Sequence, residues 1–230
     1  MDKQQKKELV EKFKKLRVAD VRDGMDWVGL HPIGSVAPEI RPIWRTKIVG
    51  FARTARYIPT THVVTARTPE EYTKFLQNYW NEISPDPFKH DIEEDDIIVL
   101  DCADTNIGIV GSFNSFDWYE RGARGVVTNG GARDTDEIIL QEVPVWSRYI
   151  SQSMPIGRAQ YDGKDMDVNI GGQIARPGDV IVADGDGVIV VPIEKAELVA
   201  KYALEEQLRD RAMRREVYEK LGRELDDTVI

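Results

Sequence analysis

The most chemically dense stretch of the chain is Gly125-Val-Val-Thr-Asn-Gly-Gly-Ala-Arg133-Asp134-Thr-Asp-Glu137, an apolar run that ends in glycines and then presents Arg, Asp and Glu. In open α/β sheets, ligands sit where a strand delivers such residues at its carboxyl end. Arg133 can grip a carboxylate with the two prongs of its guanidinium. Asp134 can ligate a hard divalent cation, and Glu137, one helical turn on, can hold its water shell. The same Arg-Asp pair also suits a salt bridge or a helix N-cap, and spacing alone leaves these roles open. A second loop, Gly111-Ser112-Phe113-Asn114, follows another short apolar run. Its successive N–H groups suit an anion nest, or an ordinary turn.

Other chemistries are poorly supplied. Cys102 is the single cysteine, which forbids an internal disulfide and a multi-cysteine zinc site; its strand context marks it as inert. His31, His62 and His90 are too few and too scattered for a histidine cage, so a metal site must lean on carboxylate oxygens, which favours Mg²⁺ or Mn²⁺. His62 lies just beyond a strand and reads as a surface or core residue unless it faces the site. No lysine stands alone in an apolar strand, so a Schiff-base mechanism has no signal. The five tryptophans read as packing or interface aromatics, with Trp44, beside Arg41 and Arg45, also placed to line a pocket for an acidic substrate.

The 31 basic and 40 acidic residues give a net charge of −9, which argues against nucleic-acid binding through phosphate neutralisation. An anionic substrate then needs a local positive site. No apolar run approaches the ~18 residues of a membrane span. The lysine-rich first 17 residues lack the apolar core of a secretory signal, so the expected setting is the cytoplasm.

The elements that must position these residues follow from periodicity. Leu9, Val10, Phe13 and Leu16 mark an amphipathic first helix, and Val18 to Met25 a second, shorter one. A Gly- and Pro-rich connection from Leu30 to Trp44 precedes a strand over Ile48 to Ile58. A helix over Glu70 to Ile83 is stopped by Ser84-Pro85-Asp86-Pro87. Buried strands are expected at Asp95–Asp101 and Ile107–Val110, a helix at Phe116–Gly122, and strands at Gly125–Thr128 and Val143–Tyr149. Asn129-Gly130-Gly131 reads as a tight loop and Asp162-Gly163 as a hairpin turn. Val180–Asp184 and Val188–Val191 form a hairpin, and Glu194–Leu221 a long helix. With no repeat or linker, the reading is one α/β domain over 1–230 with a mixed sheet.

Ser112 precedes Arg133 with twenty residues between them, and Glu137 follows Asp134 after two. This spacing resembles that of the class II pyruvate aldolases acting on 4-hydroxy-4-methyl-2-oxoglutarate and 4-carboxy-4-hydroxy-2-oxoadipate, a family homologous to the RraA-type regulators of ribonuclease E. The family pattern is an acidic residue, twenty positions, Arg-Asp, two positions, then Glu or Asp. The resemblance extends to Val18–Met25, Ile48–Ala55, Asp95–Asp101 and Arg176–Pro192.

The resemblance implies an RraA-like α/β sandwich with a mixed central sheet, related to swivelling phosphohistidine-type domains. It also implies a homotrimer or a dimer of trimers, with the N-terminal and long C-terminal helices as oligomer contacts and sites between subunits. Asp134 would ligate Mg²⁺ or Mn²⁺ and Glu137 would act through metal-bound water. Arg133 would bind the oxygens of a pyruvate-like group, and the amides of Gly111, Ser112, Phe113 and Asn114 its carboxylate. An acidic residue of a neighbouring subunit, Glu205 or Glu206, would complete the site. Ser112 stands where the aldolases carry the acidic residue that positions the catalytic water, and Asn129 where many members have Asp. The implied function is a metal-dependent lyase that cleaves or decarboxylates a 2-oxo acid through pyruvate enolate. The rivals are a non-catalytic RraA-type regulator and a metal-dependent hydratase or isomerase of a sugar acid.

Overall fold

In the computed structural model, which describes residues 1–229, the strands are β1 (Arg41–Pro42), β2 (Ile48–Pro59), β3 (Asp96–Asp101), β4 (Gly108–Val110), β5 (Gly125–Ala132), β6 (Val145–Ile150), β7 (Ala159–Lys164), β8 (Val168–Ile170), β9 (Gln173–Ala175), β10 (Val180–Asp184) and β11 (Gly187–Val191). The helices are α1 (Lys3–Lys14), α2 (Val18–Trp27), α3 (Pro69–Asn78), α4 (Ser112–Glu120), α5 (Thr135–Leu140) and α6 (Ala196–Leu221).

Nine strands form one mixed sheet in the order β1-β6-β5-β3-β2-β10-β11, with β4 beside β5 and β7 beside β2. The β6-β5-β3-β2 centre is parallel, and β1, β7, β10 and β11 join antiparallel. The period of two along each strand divides the core. On β2, Val49 and Phe51 face α1, α2 and α6, whose Leu9, Phe13, Val21, Met25, Val199 and Ala203 cover them. Further along the same face, Ala55 and Tyr57 join Ile98, Leu100 and Val126 beneath Trp118 of α4 and Ile138 of α5. Ile48, Ala52, Ile97, Val99 and Val127 point the other way, into a core closed by the β8–β9 ribbon. No helix among the described residues is long and apolar enough to cross a membrane.

Two expected turns are strand. Asn129-Gly130-Gly131 lies inside β5, entirely buried. Its glycines serve close approach: a Cβ at Gly130 would lie 2.6 Å from Cys102 Cβ, and one at Gly131 2.8 Å from Ser151 Cβ. Asn129 ties three strands together, accepting from Cys102 N at 2.6 Å and donating to Asp101 Oδ1 and the Asn169 carbonyl. Asp162-Gly163 sits in β7, at a register shift opposite Arg56 and Tyr57. Asp162 pairs there with the Arg56 guanidinium, and this cross-strand pair, rather than a reversal of the chain, occupies its carboxylate. The helix expected from Phe116 starts four residues earlier, at Ser112, because the Gly111-Ser-Phe-Asn loop is its N-terminus. The helix after Thr68 passes into a π turn over Tyr79–Ile83 before the proline pair stops it.

Candidate active site

Strand β5 and helix α5 meet at Arg133 and Asp134. Asp134 occupies the residue before α5 with φ 56° and ψ 38°, a left-handed conformation that Asp adopts more readily than most residues and whose positive φ Asp95, Asp104 and Asp165 share. Although it stands at the N-cap position, its side chain caps nothing. Its Oδ1 instead lies 3.3 Å from Arg133 Nε, so salt bridge and ligand site are compatible and the helix-cap role is excluded. Both side chains are about one-third exposed, on the wall of a cavity of about 540 Å³.

Two glycines of the neighbouring strand and loop make room for them. A Cβ at Gly108 would fall 3.0 Å from Arg133 Cδ, and one at Gly111 3.0 Å from Asp134 Oδ2. Gly111 donates its N–H to Asn114 Oδ1 at 2.7 Å, and Asn114 in turn donates to the Ile109 carbonyl. That leaves the N–H groups of Ser112, Phe113 and Asn114, in the first turn of α4, without intrahelical acceptors. An anion at this turn meets both free amides and the positive end of the helix dipole. The expected four-amide nest is therefore one amide smaller.

Of the expected site residues, the structure gathers Gly111, Phe113, Asn114, Arg133 and Asp134 around the cavity. Ser112 and Glu137 are not on its wall but bind each other, Ser112 Oγ donating to Glu137 Oε2 at 2.6 Å. Glu206 is held by Trp27 Nε1 and Arg209 of its own chain. His62 is exposed in the connection after β2, and Trp44 lines a different hollow with Lys47 and Arg124. Cys102 lies just beyond the end of β3 rather than in a strand, and it is buried, which pushes its thiol up to about 12.

The rest of the wall was missed. Tyr57, Trp80, Asp86, Lys89, Met154 and Pro155 come from elements far apart in sequence. In the sequence Trp80 reads as a packing or interface aromatic and Asp86 as part of a helix stop. No spacing rule links them to Arg133.

The donor chemistry fits a hard cation in outline. Among the described residues Asp134 accepts a hydrogen bond at Oδ1 alone, and Glu137 lies one turn away on α5. Among the described residues no three His, Cys, Asp or Glu side chains cluster as a cage. Mg²⁺ is commonly held by one or two carboxylates, with water and substrate supplying the remainder, so this sparse set suits it.

The architecture is that of the RraA fold: Streptomyces coelicolor RraAS2, described as an unusual member of the RNase ES inhibitor RraA family, superposes with a TM-score of 0.73 at 22% identity, covering 90% of this chain and 96% of that one. Residues 18–190 match the RraA-like family, described as Aldolase/RraA, and the chain belongs to it. Similar sequences include a putative 4-hydroxy-4-methyl-2-oxoglutarate aldolase of Halalkalibacterium halodurans, 32% identical over 125 residues that make up 53% of this chain and 58% of that protein. Protein DlpA of Legionella pneumophila is 26% identical over 182 residues, 79% of this chain and 27% of that protein. The chain thus spans less than two-thirds of either relative.

Proposed function

We propose that the protein is a divalent-metal-dependent lyase that breaks the C3–C4 bond of a 2-oxo acid, by retro-aldol cleavage or decarboxylation, through pyruvate enolate. One observation carries the reading: Arg133, Asp134 and the open first turn of α4 share a single cavity, with Gly108 and Gly111 holding space for the two side chains. A 2-oxo acid offers a carboxylate for the α4 amides and a 2-oxo group for Arg133. As C3 loses its substituent, charge develops on the 2-oxo oxygen, and the Arg133 guanidinium is preorganised to stabilise it. Asp134 would hold Mg²⁺ or Mn²⁺, with Glu137 orienting its water; when bound, such an ion supplies Lewis-acid polarisation of the 2-oxo group. The apolar surfaces of Tyr57, Ile109 and Met154 limit water around the reacting carbons.

The aldolase relative supports this class, and the reading further takes the assembly as a homotrimer or dimer of trimers with α1 and α6 among its contacts. The partner is a small anionic acid and not a nucleic acid, in keeping with the charge of −9, and the setting is cytoplasmic. The non-catalytic regulator stays in view because position 112 carries a serine whose hydroxyl is committed to Glu137. A lactate-dehydrogenase-coupled assay over a panel of 2-oxo acids with Mg²⁺ or Mn²⁺ tests the reading. Pyruvate release supports the lyase; release from none favours the regulator, and turnover without pyruvate favours a hydratase or isomerase.

A further inference from the structure

Much of the cavity wall that Arg133 and Asp134 share is apolar, and three separate segments supply it. Trp80 comes from the π turn, Phe113 from the first turn of α4, and Met154 and Pro155 from the loop before β7. Trp80 is 48% exposed and Phe113 85% exposed, so both rings are open to a ligand that enters. Trp80 is nonetheless held on a firm base. Its ring meets that of Tyr79 edge-on, with centroids 4.9 Å apart at 83°, and the fully buried Tyr79 donates its hydroxyl to the Ala159 carbonyl at 2.7 Å. Phe113 lies between Ser112 and Asn114, within the run of α4 amides that suits a carboxylate. Two large rings left in water on one cavity wall forgo apolar burial that a ligand can supply. A second carboxylate on the ligand is less well served. Besides Arg133, the cation on this wall is Lys89, and it stands near Asp86, whose carboxyl belongs to the same wall and offsets its charge.

We propose that Trp80, Phe113 and Met154 form a subsite for an aromatic ring carried on C4 of the 2-oxo acid, which makes the substrate class the 4-aryl-4-hydroxy-2-oxobutanoates. The reaction rests on the lyase reading above; the ring rests on the wall alone. With the acid's carboxylate at the α4 amides and its 2-oxo group at Arg133, the C4 substituent is the part of the molecule left to meet these side chains. Aromatic rings pack edge to face or offset-stacked against Trp and Phe, and a thioether makes favourable contact with a ring edge. All three contacts reward an aryl group over an alkyl chain or a carboxylate. A cavity of about 540 Å³ has room for it, being far larger than a pyruvate unit fills. Cleavage of such an acid breaks the C3–C4 bond and leaves its electron pair in the enolate. The C4 hydroxyl gives up its proton as C4 becomes an aldehyde carbonyl, and a proton is taken up at C3, so the products are pyruvate and an aryl aldehyde with no further reactant.

The test is calorimetric titration, in Mg²⁺, of two acids that lack the C4 hydroxyl and so cannot undergo retro-aldol cleavage: 2-oxo-4-phenylbutanoate, with a ring on C4, and 2-oxoglutarate, with a carboxylate there. The parent should bind the phenyl acid at least about tenfold more tightly. Trp80→Ala and Phe113→Ala should each cut that affinity about fivefold or more, with pyruvate affinity within about twofold and Tm held, since both side chains are substantially exposed. Equal or tighter binding of 2-oxoglutarate overturns the proposal, as does a phenyl preference that survives both substitutions. If Trp80→Ala fails to fold, Phe113→Ala decides on the same criterion. Loss of affinity for all three acids together, with a changed sedimentation coefficient in Phe113→Ala, would assign that ring to a subunit contact and overturn the subsite. Coupled pyruvate release from 4-hydroxy-2-oxo-4-phenylbutanoate and from oxaloacetate separates this proposal from the lyase reading. A phenyl preference with pyruvate released from neither acid leaves the subsite standing and overturns the lyase reading. Release from oxaloacetate with no phenyl preference in binding leaves the lyase reading standing and removes the subsite.

Discussion

Ser112 Oγ and Glu137 Oε2 lie 2.6 Å apart, joining the first turn of α4 to the first turn of α5. The bond locks together the two helices that flank Arg133 and Asp134. It also shows what an acidic residue at position 112 would meet, a second carboxylate at hydrogen-bond distance.

Ser112→Asp should therefore set two like charges against each other. In chelator we expect a loss of about 1 kcal/mol, or roughly 2–4 °C in Tm for a chain of this size. Excess Mg²⁺ or Mn²⁺ should restore it, because a divalent ion between carboxylates removes the repulsion. Thermal melts with and without metal check this; a Tm deficit indifferent to metal would place the pair away from any ion.

Asp134→Asn keeps a residue that tolerates the left-handed backbone at φ 56°, so Tm should change little. The amide loses the charge that a hard cation needs, and affinity for Mn²⁺ should fall at least about tenfold. Calorimetric titration of parent and variant reads this directly, and equal affinities would make Asp134 a salt-bridge residue alone.

Gly111→Ala isolates the role of space. The backbone there, at φ −119° and ψ 175°, suits any residue, so the fold should survive. The added Cβ would crowd Asp134 Oδ2 at 3.0 Å, while Arg133 Cγ at 3.6 Å would be in ordinary contact. A displacement of even ~1 Å costs on the order of 10²-fold in a positioned site. The signature is kcat/KM falling by that order at unchanged Tm; unchanged kinetics would mean the two side chains are not held in place.

Much of the fold was legible because it rests on burial patterns: α1, α2 and α6 carry one-faced apolar stripes, and β2, β3, β10 and β11 are apolar runs buried on both faces. Glycine misled where it serves close packing. Gly130 and Gly131 read as a turn in the sequence, yet they let β5 pass Cys102 and Ser151. The Arg133, Asp134 and Gly111–Asn114 part of the site was legible because each lies just after a short apolar strand. Tyr57, Asp86 and Met154 were not, since only the tertiary fold brings β2, the turn after the π segment and the loop before β7 to one cavity.

Away from the site, Asp20 anchors α2 to α6. Burial alone would raise its carboxyl, but hydrogen bonds from Arg17 and Gln207 override this and hold it below the ordinary range. A depressed carboxylate stabilises the fold above its unfolded pKa, about 3.9, and the contribution is lost as pH falls through the folded value. Asp20→Asn should cost about 2–3 kcal/mol near neutral pH, the scale of a hydrogen bond to a buried charge. Below about pH 4 the gap to the parent should narrow. Denaturant titrations at pH 7 and pH 3 check the sign, and a gap that widens in acid would contradict it.

The central claim is that Arg133 stabilises an enolate derived from a 2-oxo acid with the help of a divalent ion. Its most direct measurement is coupled pyruvate release from oxaloacetate and 4-hydroxy-2-oxo acids by parent and Arg133→Lys, each with Mg²⁺ or Mn²⁺ and after exhaustive EDTA treatment. A point charge cannot reproduce the guanidinium fork, so kcat/KM of the variant should fall about 10²-fold or more, and EDTA should abolish parental turnover beyond the uncatalysed rate. Parental kinetics retained in Arg133→Lys, turnover undiminished in verified metal-free protein, or no pyruvate from any acid would contradict the account.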